Sequence, residues 1–426
     1  MGAIGVRAAT VPLRGAGPRL RAVLALTFLG LAAACQDGPR LPDARLSLEE
    51  TLSGADTVGY ARALAPRPFL FPADHGPHPD FRNEWWYVTG NVQADDGREV
   101  GFQFTLFRSS LAPEPREGAS AWGTNQAYMA HLAVTDARGG RFHAFERFAR
   151  GAAGLAGARA EPFRVWLEDW SLEGERRGPA PGPSGSVGRD PAGGNRGDLG
   201  RSATDVFPLR LRAGEGAVSL DLTLSEGKPM VLQGNAGLSQ KGPEAGNASY
   251  YYAFTRMPTA GTVVLGGDTL TVTGSAWLDR EWSTSALSEG QVGWDWFALQ
   301  LDHGWELMVY ALRMEDGSAH PLSDGVLVGP DGGKTDLVWG RDFTVTPTGT
   351  WRSPVDGSAY PSGWRIEIPG REMELEVTPT LPGQELDLAF RYWEGSVRVT
   401  GRDGDRPVAG RGYVELTGYA GRRPER

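Results

Sequence analysis

From Glu84 onward the apolar residues recur at every second position, the period of a half-buried β-strand and not of a helix. Trp86-Tyr87-Val88-Thr89-Gly90-Asn91-Val92 runs into Asp95-Asp96-Gly97. The chain returns as Val100-Gly101-Phe102-Gln103-Phe104-Thr105-Leu106-Phe107-Arg108. Asp-Gly between two alternating runs is a strong hairpin signal, because glycine supplies the positive φ of a tight turn. The same alternation predicts strands over 130–136, 163–172, 209–211 and 218–224.

A later region repeats the device. Trp294-Asp295-Trp296-Phe297-Ala298-Leu299-Gln300-Leu301 turns at Asp302-His303-Gly304 and returns as Trp305 to Arg313. Gly274-Ser275-Ala276-Trp277-Leu278-Asp279 then resembles Gly410-Arg411-Gly412-Tyr413-Val414-Glu415. Two matched landmarks in the same order predict a duplicated unit. The fold class is therefore all-β, with two tandem antiparallel barrels, over 66–285 and 286–420. The alternation lapses over 176–202, which is rich in Gly, Pro, Arg and Ser and reads as a flexible insertion in the first barrel.

The residues before the barrels carry a different signal. Arg14, Arg19 and Arg21 precede an apolar run over 22–34, too short to span a bilayer comfortably. It ends Leu31-Ala32-Ala33-Ala34-Cys35, which predicts a lipoprotein signal peptide over 1–34 and lipidation at Cys35. Gln36 is not the aspartate of inner-membrane retention, so the expected address is the bacterial envelope. There the outer membrane, facing the periplasm, is a partner through the lipid anchor. Residues 35–65 read as a tether, with a possible short helix over 47–64 capped by Ser47.

Composition narrows the chemistry. Cys35 is the single cysteine, so no disulfide is expected in the mature chain. Six histidines and one cysteine supply no zinc cluster, and no metal or cofactor is expected. His75 and His78, beside Asp74 and Asp80, have no distinctive ligand spacing. A net charge of −9 argues against nucleic acid. Fourteen tryptophans suit thick cores and flat walls for an apolar small molecule such as a lipid or an isoprenoid. No G-x-S-x-G or H-E-x-x-H occurs, which disfavours common hydrolases.

The longest specific strings are Asn83-Glu84-Trp85-Trp86-Tyr87-Val88-Thr89-Gly90, Asn247-Ala248-Ser249-Tyr250-Tyr251, Ala276-Trp277-Leu278-Asp279-Arg280-Glu281-Trp282-Ser283, Gly293-Trp294-Asp295-Trp296-Phe297 and Tyr392-Trp393-Glu394-Gly395. With Lys241-Gly242 they resemble the lipocalin-like family of carotenoid 1,2-hydratases (hydroxyneurosporene synthases) and AttH-like secreted proteins, closer to the AttH-like branch. The resemblance covers most of 71–420 and implies two lipocalin- or calycin-like barrels. It also implies an expected departure. Arg280 stands where the hydratases carry a functional histidine, and Tyr310-Ala311-Leu312 lacks the acid of their Tyr-x-Asp.

Adding water to an isolated C=C needs a proton donor beside the alkene, walls that tolerate a carbocation, and a base for the water. A carboxyl kept protonated in an apolar pocket can donate, and aromatic faces can stabilise the cation. Strand alternation puts Trp277, Asp279 and Glu281 on one face and Leu278, Arg280 and Trp282 on the other. The candidate catalytic set is Asp279 as acid, with Glu281 or Tyr310 assisting. A strand-end ion cluster with Arg280 outside competes with that reading.

Candidate ligand contacts are Trp277, Trp282, Trp294, Trp296, Trp86, Tyr251, His131 and Arg280. Trp86 also reads as a barrel-floor plug, Glu84 as an ion-pair anchor, His131 as a hydrogen-bonded strand residue and Lys241 as a solvated loop lysine. Asp295 must point away from Trp294 and Trp296. Three functions stay open. The first is an apolar-ligand carrier, which needs a neutral cavity. The second is a hydratase-like lyase, which needs a buried carboxyl in one. The third is a structural envelope component, which needs no cavity at all.

Overall fold

A computed structural model describes residues 57–114, 122–174, 202–284 and 287–420. Cys35, the signal segment and residues 176–201 of the insertion lie outside them. Of the possible helix over 47–64, the described residues 57–64 form turn and extended chain.

The first sheet holds β1 (Asn83–Ala94), β2 (Glu99–Ser110), β3 (Gln126–Asp136), β4 (Arg141–Arg150), β5 (Ala156–Ala160), β6 (Phe163–Leu167), β7 (Trp170–Gly174), β8 (Leu209–Glu215), β9 (Val218–Leu224), β10 (Val231–Leu232), β11 (Leu238–Gln240), β12 (Ala248–Leu265) and β13 (Asp268–Ser283). Its main path runs β4-β3-β2-β1-β13-β12-β9-β8-β7-β6-β5, with β10 and β11 on β12. The second half adds β14 (Gln291–Leu301), β15 (Glu306–Met314), β16 (Asp324–Val328), β17 (Lys334–Val338), β18 (Thr344–Pro347), β19 (Thr350–Arg352), β20 (Ala359–Pro361), β21 (Trp364–Ile368), β22 (Met373–Pro379), β23 (Glu385–Asp387), β24 (Arg391–Asp403) and β25 (Arg406–Leu416). Its path is β17-β16-β15-β14-β25-β24-β22-β21-β18, with β23 on β24, while β19 and β20 pair separately.

The two paths have the same logic. Four strands meander outward, and the last strand of each half returns beside its first: β13 on β1, and β25 on β14. The first sheet curls until β4 approaches the far strands of its own path. In the first barrel, Arg147 of β4 pairs with Glu215 at the end of β8 (2.8 Å), and its guanidinium lies 4.4 Å from the Trp170 ring. Each interior is filled by its own apolar cluster. Trp86, Phe104, Trp170, Tyr252 and Trp282 pack inside the first. Phe297, Trp364, Leu375 and Trp393 pack inside the second.

Strands β1, β12, β13, β14, β15, β24 and β25 also bury residues on their outward face. Tyr87, Tyr251 and Trp277 of the first half meet Trp296, Met308, Tyr310 and Tyr413 of the second in one apolar cluster. These strands therefore lack the polar face of a half-solvated sheet, because the other barrel takes the place of water. A polar rim closes the seam. Asn91 Nδ2 donates to the Gly412 carbonyl (3.1 Å), and Thr135 Oγ1 donates to Gln384 Oε1 (2.7 Å). Buried Glu306 of the second barrel takes ion pairs from Lys228 and Arg256 of the first.

Gly101 on β2 sets how closely the barrels approach. A Cβ there would come within 2.5 Å of the Ser396 Cβ across the seam. Gly101→Val should therefore destabilise the protein by about 1–3 kcal/mol through overpacking. A urea midpoint unchanged from the parent would refute this contact.

Candidate active site

A cavity lies between the barrels, outside both apolar cores. Its walls carry Tyr87, Tyr251 and Asp279 from the first barrel and Trp294, Trp296 and Glu415 from the second. The space open to the centres of water-sized spheres is about 100 Å³. A single water needs roughly 10–15 Å³ by the same measure, so several waters or a small apolar group fit.

Asp279 is 4% exposed and stands at the centre of a hydrogen-bond fork. The Tyr251 hydroxyl donates to its Oδ2 (2.7 Å), and the Trp277 indole donates to its Oδ1 (2.7 Å). Burial among aromatic rings disfavours the charged form and outweighs these two donors. The neighbouring Glu281 charge adds to the rise and Lys241 opposes it. The carboxyl is pushed up to about 8 and is mostly protonated at neutral pH. Lys241 Nζ lies 3.3 Å from Glu281 Oε1 and 4.6 Å from the Tyr310 ring centroid. Tyr310 in turn bonds Asp324, which burial pushes up to about 6. Asp324 thus supplies an acid beside Tyr310 although position 312 is leucine.

The candidates sort by strand face. Asp279, Glu281, Tyr310, Tyr251, Trp294 and Trp296 all reach the cavity. Trp277 supports it from behind through Asp279. His131 sits one ring further back, bonded to the Tyr392 hydroxyl (2.8 Å), and burial pulls it down to about 3, so it is neutral.

Trp86, Trp282 and Arg280, expected as ligand contacts, do not line this cavity. All three point into the first barrel, on the opposite face of β1 and β13. Nor does Arg280 lie outside. It is fully buried, 4.0 Å from the Trp86 ring centroid and paired with Glu84, which also holds Arg108. The two guanidinium groups keep the Glu84 carboxyl far below the usual range despite its burial.

Lys241 is not a solvated loop residue, since it reaches the cavity wall. Asp295 turns away from Trp294 and Trp296 toward Tyr419 and Arg313. His75 bonds the Tyr252 hydroxyl and His78 bonds Asp74 and Glu84. Among the described residues no three His, Cys, Asp or Glu side chains converge on a possible metal position.

The sequence reading missed Tyr87, Tyr392 and Glu415 as cavity residues. Each stands within or beside a landmark string, but strand alternation alone does not say which face meets another barrel.

The sequence profile of the AttH-like family matches residues 62–190 and 193–419. The chain belongs to the AttH-like family. Among solved structures, an AttH protein of Nitrosomonas europaea is 33% identical with a TM-score of 0.67, over 84% of this chain and 100% of that one. Kievitone hydratase of Nectria haematococca has the same fold, at 15% identity and a TM-score of 0.59, over 85% of this chain and 97% of that one. By sequence, kievitone hydratase of Fusarium solani subsp. phaseoli is 23% identical over 231 residues, 52% of this chain. That match spans 63% of the relative, less than two thirds of its length. The double barrel is thus shared between this AttH-like chain and a hydratase.

Asp279 makes a stability prediction with a definite sign. Its carboxyl titrates near 3.8 when unfolded and near 8 when folded, so the native state binds the extra proton between these values. Its contribution is complete below the lower value, falls as pH rises through the window, and levels off above the upper one. Asp279→Asn should remove this loss and make the protein more stable than the parent at neutral pH, on the order of 3 kcal/mol. Denaturation of both proteins across the window measures the difference. A gap that does not widen with rising pH would contradict the raised value.

Proposed function

We propose that this protein adds water across the C=C of an apolar, isoprenoid-like molecule, or removes it, in the cavity between its barrels. The observation that carries the reading is one carboxyl, Asp279, kept protonated at neutral pH within aromatic walls. A carrier has no use for an acid that raises the cost of its own cavity. A purely structural seam would be packed shut. The hydratase names of relatives with this fold point the same way.

Asp279 gives its proton to the less substituted alkene carbon, and positive charge forms on the more substituted one. The faces of Tyr87, Trp294 and Trp296 stabilise that charge without adding to it. Water bonds to the cationic carbon and releases a proton, and Asp279 regains one from solvent. The sum is one water added. Lys241 is held by Glu281 at the cavity edge, where it can meet a polar end of the substrate.

The test uses the full chain with isopropylidene-ended isoprenoids in oxygen-18 water. A tertiary alcohol carrying oxygen-18 is expected, with a rate that declines as pH rises through about 8. Asp279→Asn should lower that rate by ~100-fold or more. Absence of the label in every product, with the same apolar molecule recovered unchanged from the protein, would replace this reading with carriage.

The same proposal places the protein in the envelope through a lipid on Cys35. Cys35→Ala should move it from the membrane fraction to the soluble one, and an unchanged distribution would refute the anchor.

A further inference from the structure

The two barrels do more than wall the cavity. By the shared topology, Asp279 on β13 corresponds to Glu415 on β25, since Tyr87 of β1 stands opposite the first and Trp296 of β14 stands opposite the second. Each of these partner aromatics then serves the other barrel's acid. The Tyr87 hydroxyl donates across the seam to Glu394, which faces Glu415 in the β24–β25 ladder. Trp296 bonds the Tyr251 hydroxyl, which holds Asp279. Trp294 adds a donor to Glu415 Oε1 (2.9 Å). The acid centres are therefore built reciprocally.

Glu394 is fully buried, and among the described residues no lysine or arginine pairs with it. That separates it from the other buried glutamates, because Glu84 holds two arginines and Glu306 a lysine and an arginine. A carboxyl taken out of water without a cation stays neutral. Burial, then the charge of Glu415, hold Glu394 well above the usual range, against the Tyr87 hydrogen bond. Among the described residues Tyr392 and Tyr413 also face Glu394, both pushed up by burial and neutral. Glu394, neutral and side by side with Glu415, gives the pair a proton to share.

We infer that Glu394 and Glu415 form a second proton-active centre, in which the pair shares one proton and Glu415 receives the proton of the attacking water. This rests on the hydratase reading. Asp279 protonates the alkene from the first barrel. Water bonds to the cation from the side of the second barrel, and its O–H proton passes to the Glu415 carboxylate as the C–O bond forms. Solvent carries that proton away and recharges Asp279, so the cycle balances as alkene plus water giving alcohol. Glu415 reaches the cavity and is the catalytic residue. Glu394 lies behind it and is a positioning residue.

Infrared spectra of the full chain in light and heavy water, with and without carbon-13 glutamate, test the shared proton without any ligand. Two protonated-carboxyl bands are expected at neutral pH. One shifts with the glutamate label and vanishes in Glu394→Gln, and the other is unlabelled and vanishes in Asp279→Asn. The labelling reaction with isopropylidene-ended isoprenoids in oxygen-18 water tests the role. Glu415→Gln should slow it ~100-fold, and Glu394→Gln should slow it less while moving the acidic limb of its pH profile. A missing glutamate band overturns the shared proton. A Glu415→Gln rate within about twofold of the parent, when Asp279→Asn is inactive, overturns the role and leaves the hydratase reading intact. If the parent itself incorporates no oxygen-18, that reading falls, while the infrared bands still decide the proton.

Discussion

The seam between the barrels is the constraint on which the rest depends. Each half presses its first and last strands, β1 and β13 or β14 and β25, against the other. Those strands are then covered on both sides, by their own core within and by the partner barrel without. Any acid on the outward side loses water on assembly, whereas on a lone barrel it would be solvated. Asp279 is perturbed first by that loss of water, and the Glu281 charge adds to the rise.

Buried carboxyls in this protein meet that loss of water in two ways. Glu84 and Glu306 are held by pairs of cations, and both serve architecture, one anchoring the mouth of the first barrel and one riveting the seam. Asp279 and Glu394 are held by hydroxyl or indole donors alone, which are too weak to keep a charge in an aromatic cleft. The contrast falls along the fold, since Asp279 lines the cavity and Glu394 lies directly behind cavity-lining Glu415. Arg280 shows how close the alternatives lie. It is the residue between Asp279 and Glu281, yet alternation sends its charge to the other side of the sheet, where it serves Glu84.

Much of the architecture was legible in the sequence because period-two alternation is local. The hairpins at Gly97 and Gly304, the duplication, and the split of Trp277, Asp279 and Glu281 from Leu278, Arg280 and Trp282 all follow from it. The site was legible only in part, because alternation divides residues between two faces without saying what each face meets. In a lone lipocalin-type barrel the ligand side is the inside, and that is the side Trp86, Trp282 and Arg280 face. Here each interior holds an apolar cluster, and the outside of one barrel meets the outside of the other across the cavity. Tyr87, Glu415 and Lys241 become site residues only through that docking, which nothing within any one strand encodes.

The duplication also bears on how the two acids at the cavity come to differ. Two identical halves docked about a two-fold axis would present the same acid twice, with no reason for one to donate and the other to accept. The halves have instead diverged where they meet. The aromatic opposite the acid is Tyr87 in one and Trp296 in the other, and the acid is Asp279 in one and Glu415 in the other. Tryptophan donates through its indole N–H alone, while tyrosine can donate or accept. Asp279 therefore ends in a fork of donors fed by Trp296 through Tyr251, while Glu415 keeps a carboxyl neighbour behind it. In the proposed reaction these substitutions separate proton source from proton sink on a symmetric frame, and a single fused chain is what lets the two copies of the frame differ.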